Sequence, residues 1–165
     1  FDEEGFYCLG DAARFEDPDH PEKGVVFDGR VTEDFKLDSG TWVSVGTLRP
    51  AVVAACAPLV FDAVICGQDK PYIGALVWPS PAAVKAEAEA AGGDMAKAIA
   101  SLSQKMDGKL QAFNARQGGS SRRIQKFRVL TTPPSLDAGE ITDKGYVNQR
   151  RAQEVRADEV AALFD

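Results

Sequence analysis

Residues 59–78 read LVFDAVICGQDKPYIGALVW: two runs rich in Val, Ile, Phe and Tyr, Leu59 to Cys66 and Tyr72 to Trp78, separated by Gly67-Gln68-Asp69-Lys70-Pro71. β-Branched and aromatic side chains fit a pleated surface and the spacer carries turn chemistry, so the two runs are expected to form an antiparallel hairpin. Just after it, Pro81 stands where a first helical turn accepts proline, and Ala82 to Ala91 is an Ala/Glu/Lys-rich helix ending at Gly92-Gly93. Asp94 then caps a second helix, Met95 to about Gln117, whose apolar residues Ala98, Ile99, Leu102, Met106, Leu110 and Phe113 keep the three-and-four spacing of one buried face. Gly118-Gly119 stops it. From Arg122 to Leu130 charged and apolar positions alternate, as in a half-buried strand, before Pro133-Pro134. A loop bounded by Gly139 and Gly145 and a helix from about Asn148 to Phe164 follow.

Upstream, Thr41-Trp42-Val43 suggests a strand, and Ser44 is placed to cap a helix running to about Ala57, although Pro50 makes a start near Arg49 equally compatible. The first thirty residues alternate short apolar runs with turn chemistry and read as a meander of two or three short strands, the last being Val25-Val26-Phe27. Between these parts the charged stretch Arg30 to Lys36 is either an exposed turn or a linker. Strands, linker, helix, hairpin, helices, strand and helix in that order give an α+β class rather than a regular βαβ array.

The 165 residues carry 25 acidic and 19 basic side chains, a formal charge of −6, with 44% hydrophobic and 27% charged residues. That is the composition of an ordinary globular protein, and its acidity argues against a general nucleic-acid binder. No apolar run approaches the roughly 20 residues of a membrane helix. Cys8, Cys56 and Cys66 lie far apart in apolar surroundings without metal-ligand spacing, and are expected to be buried free thiols in a reducing, cytoplasmic compartment, with no metal site. His20, the sole histidine, sits in a Pro-flanked acidic loop and is given no catalytic role, and Trp42 and Trp78 read as packing residues. The first residue is Phe1, with no leader-like segment after it, so the chain is expected to be trimmed from a longer polypeptide.

Four segments carry chemistry. In Gly5-Phe6-Tyr7-Cys8-Leu9-Gly10-Asp11 a carboxylate follows an apolar run on a tight turn, where it can accept from two vicinal hydroxyls or simply face solvent. Phe27-Asp28-Gly29-Arg30 puts a fork of donors after a strand, and the acidic stretch beyond it suits a hinge or a surface turn. Gly40 in Leu37-Asp38-Ser39-Gly40-Thr41-Trp42-Val43 lets a ligand or another chain approach the backbone. Gly139-Glu140-Ile141-Thr142-Asp143-Lys144-Gly145 carries a lysine near a loop tip, either a compact cation that a mobile loop can deliver to developing negative charge or simply a solvated lysine.

Taken together, these segments in this order resemble the C-terminal region of adenylate-forming acyl-CoA synthetases. Residues 27–46, FDGRVTEDFKLDSGTWVSVG, and 139–150, GEITDKGYVNQR, look closest to the feruloyl-CoA synthetase branch. The resemblance implies a small α+β C-terminal domain, a short antiparallel sheet flanked by helices, over residues 33–165, preceded by a β-rich tail of a large ATP- and acyl-binding domain over residues 1–32. It implies that Asp11, assisted by Arg30, binds the ribose of ATP and acyl-AMP, and that Lys144 serves adenylation. Thr32, Glu33 and Asp34 would form the hinge. Lys36, Ser39 and Gly40 would face CoA, and the basic cluster Arg122, Arg123 and Lys126 either meets the phosphates of its nucleotide or is a solvated strand edge. ATP, CoA and Mg2+ would be bound mainly through the large domain, with a hydroxycinnamoyl-type aryl acid as substrate. A fatty-acyl or other acyl-CoA synthetase is the alternative, and a binding module without chemistry a third reading. On this view the isolated chain is inactive, and its truncated N-terminal strands leave an edge that would pair with a second copy. The chain departs from the general pattern at Thr32, where many relatives carry aspartate or lysine, and in the lead-in to Lys144.

Overall fold

The hairpin expected at residues 59–78 forms the middle of the fold. The computed structural model describes residues 1–165. Strand β5 (Val60–Cys66) pairs antiparallel with β6 (Ile73–Pro79), Val64 lying opposite Leu76 and Ile65 opposite Ala75. Strand β7 (Ile124–Val129) joins the other side of β6 in parallel, giving the order β5-β6-β7. The sheet is therefore mixed, not wholly antiparallel. A parallel neighbour needs a crossover, which α2 (Pro81–Ala90) and α3 (Met95–Asn114) supply. Both helices start as their sequences dictate: Ser80 Oγ accepts from the Ala83 N–H at 3.2 Å and Asp94 Oδ1 from the Lys97 N–H at 3.1 Å.

The near-continuous apolar run of β5 and β6 is explained by burial on both faces. Ala63, Ile65, Ala75 and Val77 pack against Leu48 and Val52 of α1 (Val45–Cys56) and Leu102, Met106 and Leu110 of α3. One residue out of phase, Val64, Cys66, Leu76 and Trp78 face Leu130, Val147, Ala152 and Leu163. The last quarter of the chain is thus a layer over the second face of the sheet. There the single helix expected from Asn148 to Phe164 is two, α4 (Gln149–Val155) and α5 (Ala157–Ala161), separated at Arg156 (φ −102°, ψ 34°), whose guanidinium is drawn toward Glu140.

Helix α1 begins at Val45 and carries Pro50 inside it, so the alternative start near Arg49 is not realised. Ser44 takes the N-cap position but not the capping bond, because Asp34 Oδ1 accepts the Val45 N–H at 2.8 Å. Ahead of it lie two small hairpins, β1 (Asp11–Phe15) with β2 (Val25–Arg30) and β3 (Phe35–Lys36) with β4 (Trp42–Val43). Phe6 to Leu9 is not a strand, since no neighbour offers it a ladder. The first hairpin seats on α1 through two glycines. A Cβ at Gly46 would fall onto Gly29 Cα and within 2.9 Å of the Asp28 carbonyl oxygen. Alanine suits the helical position of residue 46, so Gly46→Ala isolates this contact. It is expected to cost about 1–3 kcal/mol and to expose Val31 to Glu33 to protease, read by thermal unfolding and limited proteolysis.

Cys56 and Cys66 are buried as expected, but Cys8 is exposed, because its apolar neighbours Phe6, Tyr7 and Leu9 are themselves uncovered. Burial pushes the Cys66 thiol up to about 12, against a bond with the Leu76 backbone, and raises Cys56 against the charge of Lys109. A thiol reagent at neutral pH is expected to label Cys8 alone in the folded chain and the other two only on unfolding, as peptide mass spectrometry would show. Trp78 packs in the core and donates Nε1–H to the Thr132 carbonyl at 3.0 Å. Trp42 instead is half-exposed beneath Lys36, whose Nζ lies 5.7 Å from the ring centroid, so it is not a core residue.

Candidate functional site

The lysine loop is a small hairpin. Ile141 bridges Val147, the Thr142 N–H donates to the Tyr146 carbonyl at 2.8 Å, and the Gly145 N–H returns to the Thr142 carbonyl at 2.9 Å. Gly145 at φ +81° permits that return. Lys144 stands exposed at the tip. The ion pairs of this region join Arg150 and Arg151 to Glu154 and Arg156 to Glu140 and Glu159, leaving the Lys144 ammonium free.

The base of the loop is held from three directions. Glu140, fully buried, accepts from Arg156 Nε at 2.8 Å, from Arg156 Nη2 at 2.9 Å and from the Ser135 N–H at 2.8 Å. Burial pushes its carboxyl up, but those bonds and the charges of Arg156 and Arg151 together hold it below the usual carboxylate range. Gln149, also fully buried, accepts from the Ile65 N–H at 3.1 Å and donates Nε2–H to the Ile65 carbonyl at 2.5 Å, pairing with edge strand β5 as a backbone would. From α1, Arg49 forks onto Asp62 at 3.0 and 2.6 Å and donates Nη1–H to the Val147 carbonyl at 3.1 Å. Asn148 Oδ1 caps α4 on the Arg151 N–H.

Asp11 and Arg30 lie opposite each other across the first hairpin, Arg30 Nε 3.8 Å from Asp11 Oδ1. Asp11 opens β1 instead of sitting in a turn, the chain having turned at Gly10 (φ +74°). Thr32 and Glu33 lie in a turn, Thr32 exposed and Glu33 half-buried, in which the Glu33 N–H donates to the Arg30 carbonyl at 2.9 Å. Asp34 is engaged at the start of α1. Burial raises its carboxyl, with Asp28 adding to the rise and the Val45, Trp42 and Gly46 N–H groups opposing it. A cleft of about 360 Å³ runs between Thr32–Phe35 and the α4 face bearing Gln149, Arg150, Gln153 and Glu154.

In the β3–β4 turn Ser39 Oγ and Thr41 Oγ1 lie 2.9 Å apart, and Gly40 (φ +78°) has open space around it. Lys36 covers Trp42. The basic cluster expected from Arg122, Arg123 and Lys126 is not brought together. Arg123 donates twice to the Gln117 carbonyl, and Lys126 reaches the Asp165 carbonyl at 2.8 Å over the Tyr72 ring. Arg122 lines a cleft of about 580 Å³ that it shares with Arg14, Asp28, Trp42 and Ser44. Adjacency in sequence said nothing of which carbonyl each side chain would find. Sequence reasoning missed Glu140, Gln149, Arg156 and Arg49 as parts of the lysine site. Glu140 and Gln149 stood inside the GEITDKGYVNQR stretch, but only their burial reveals what they do.

Residues 46–165 match the family model described as AMP-binding enzyme C-terminal domain. The chain is 30% identical over 115 residues to long-chain-fatty-acid–CoA ligase FadD15 of Mycobacterium tuberculosis, a match covering 66% of this chain and 19% of that relative. Its fold is similar to the adenylation domain of the carboxylate reductase GR01_22995 from Mycobacterium chelonae, with 27% identity and a TM-score of 0.75 over 99% of this chain and 24% of that one. It is also similar to the adenylation domain of carboxylic acid reductase from Segniliparus rugosus in complex with AMP and a co-purified carboxylic acid, with 23% identity, a TM-score of 0.72, and coverage of 99% and 24%. The chain thus spans a quarter or less of the length of these relatives.

Proposed function

We propose, from the premise that this chain belongs to the AMP-binding enzyme C-terminal domain family, that it is the moving lid of an ATP-dependent acid–CoA ligase. Residues 33–165 are the lid and residues 1–32 the tail of a large ATP- and acyl-binding domain. The observation that carries this reading is the free ammonium of Lys144 at the tip of a loop braced at its base.

In the first half-reaction the substrate carboxylate attacks the α-phosphorus of ATP, forming acyl-AMP as pyrophosphate leaves. Lys144 neutralises charge building on the carboxylate and phosphoryl oxygens. Asp11 accepts from the ribose hydroxyls beside Arg30. In the second half-reaction the CoA thiolate attacks the acyl carbonyl and AMP departs. Lys144 is withdrawn by rotation of the lid, and the face bearing Lys36, Ser39 and Gly40 replaces it. The pivot falls on Thr32 and Glu33, because Val31 is tied back to the Gly10 carbonyl and Asp34 forward to α1. Of Arg122, Arg123 and Lys126, the first is the one left to meet a CoA phosphate, while Arg123 and Lys126 are engaged by carbonyls. The magnesium that shields the phosphates of ATP would be held mainly by the large domain.

The acid is of the hydroxycinnamoyl type, a reading supported by the two long motifs at residues 27–46 and 139–150. A fatty acid is the second reading, favoured by the similarity to FadD15. Supplying the intact ligase with ATP, CoA and a panel of ferulic, coumaric, benzoic and fatty acids separates the two by which acids yield AMP and thioester. No helix is long and apolar enough to cross a membrane, and the free thiols suit a cytoplasmic setting. The exposed Phe6, Tyr7, Leu9, Phe15 and Phe27 are apolar groups that the large domain would cover. In the isolated chain, inactive for want of that domain, the open edge of the N-terminal strands pairs with a second copy. Sedimentation of the 165-residue chain is expected to show a concentration-dependent dimer.

A further inference from the structure

We infer that Gln149 and Glu140 are positioning residues for Lys144, fixing both ends of the 141–147 loop so that the ammonium is presented from a rigid base. This rests on the reading of Lys144 given above.

The two buried polar side chains of the protein flank this one loop, Glu140 just before Ile141 and Gln149 two residues after Val147. Both belong to the layer that covers the second face of the sheet with apolar groups, among them Val147, Ala152 and Leu163. An apolar side chain of the same size would fill either place but leave its partners unpaired, the buried Ile65 N–H and carbonyl for Gln149, the Arg156 guanidinium and the Ser135 N–H for Glu140. What the polar groups add is direction. Gln149 forms two antiparallel bonds to one residue of edge strand β5, at 3.1 and 2.5 Å, which sets its height along the strand. Glu140 binds the two guanidinium donors of Arg156, 16 residues on, and the Ser135 N–H, tying the entry of the loop to the junction of α4 and α5. Arg49 adds a third bond, to the Val147 carbonyl. Everything between these ties is local turn, with Lys144 exposed at the tip between Asp143 and Tyr146, which are exposed as well. The flexible part is then the lysine stem, while its starting point is fixed to the sheet.

The test compares Gln149→Met, Glu140→Gln, Lys144→Ala and, as a control weakened far from the loop, Asp94→Ala. Hydrogen exchange at the Thr142, Gly145 and Asn148 amides is followed in the 165-residue chain. Both half-reactions are followed in the intact ligase. For Gln149→Met, exchange at these amides is expected to speed up about tenfold or more. Adenylation should fall about 10- to 100-fold, while conversion of supplied acyl-AMP to thioester changes by less than about twofold. Asp94→Ala lowers the melting temperature and leaves the ratio of the half-reactions unchanged. Unaltered exchange in folded Gln149→Met, or an equal fall in both half-reactions, overturns the inference. Should Gln149→Met not fold, Glu140→Gln decides on the same readouts. If Lys144→Ala keeps full adenylation, the role of the lysine falls and the positioning role with it. If Lys144→Ala loses adenylation while Gln149→Met and Glu140→Gln keep it, the positioning role alone is overturned.

Discussion

Lys144→Ala in the intact ligase is expected to slow acyl-adenylate formation by about 10²- to 10³-fold, the usual loss when one donor aimed at transition-state charge is removed. Its melting temperature should not move, because the ammonium is exposed and none of the ion pairs in its neighbourhood includes it. The two results together matter. A fall in rate without a fall in stability assigns the residue to the chemistry and not to the loop. Lys144→Arg keeps the charge but spreads it over a larger planar group, so it is expected to recover part of the rate. Pyrophosphate exchange and a thermal melt provide both numbers.

Glu140→Gln is expected to have the largest effect on stability, a loss of roughly 3 kcal/mol in denaturant unfolding at neutral pH. The neutral isostere keeps one carbonyl oxygen for the Arg156 guanidinium, only 11% exposed, but turns the other acceptor into an NH2 donor and removes the balancing charge, leaving Glu159 at 3.9 Å as the nearest carboxylate beside the Pro133 carbonyl at 3.0 Å. The pH dependence follows from the direction of the shift. The folded Glu140 carboxyl is held below its ordinary 4.5. The stabilisation it provides is therefore fully present above the unfolded value and is lost as pH falls through the depressed folded value. The wild-type chain should lose stability through the acid range below 4.5 more steeply than Glu140→Gln, in which that titration is missing.

Where a feature depends on neighbours in sequence, it was legible. The β-branched runs at residues 59–78 became β5 and β6, the spacing of Leu102, Met106 and Leu110 became the buried face of α3, and Asp94 caps that helix as its position implies. Features that depend on distant partners were not. Alternation from Arg122 to Leu130 indicates a strand but not the edge it joins, so the parallel pairing of β7 with β6 was invisible. The break at Arg156 was hidden because an apolar repeat continues through Ala152, Val160 and Leu163, while the carboxylate that draws Arg156 aside is 16 residues away. Cys8 looked buried among apolar letters that have nothing to pack on. At the site, the lysine loop could be found from its glycines and its motif. Its supports could not, since Gln149 meets a strand 84 residues earlier and Asp34 replaces Ser44 as the cap of α1 from 11 residues off.

Single-turnover kinetics of the intact ligase, with acyl-AMP formation and acyl-AMP consumption by CoA timed separately in wild type and Lys144→Ala, tests most directly that the lysine tip serves one half-reaction only. The predicted result is a fall of about 10²-fold or more in the ratio of the first rate to the second, through loss of the first rate alone. An unchanged ratio, whether both rates fall together or neither falls, contradicts the account.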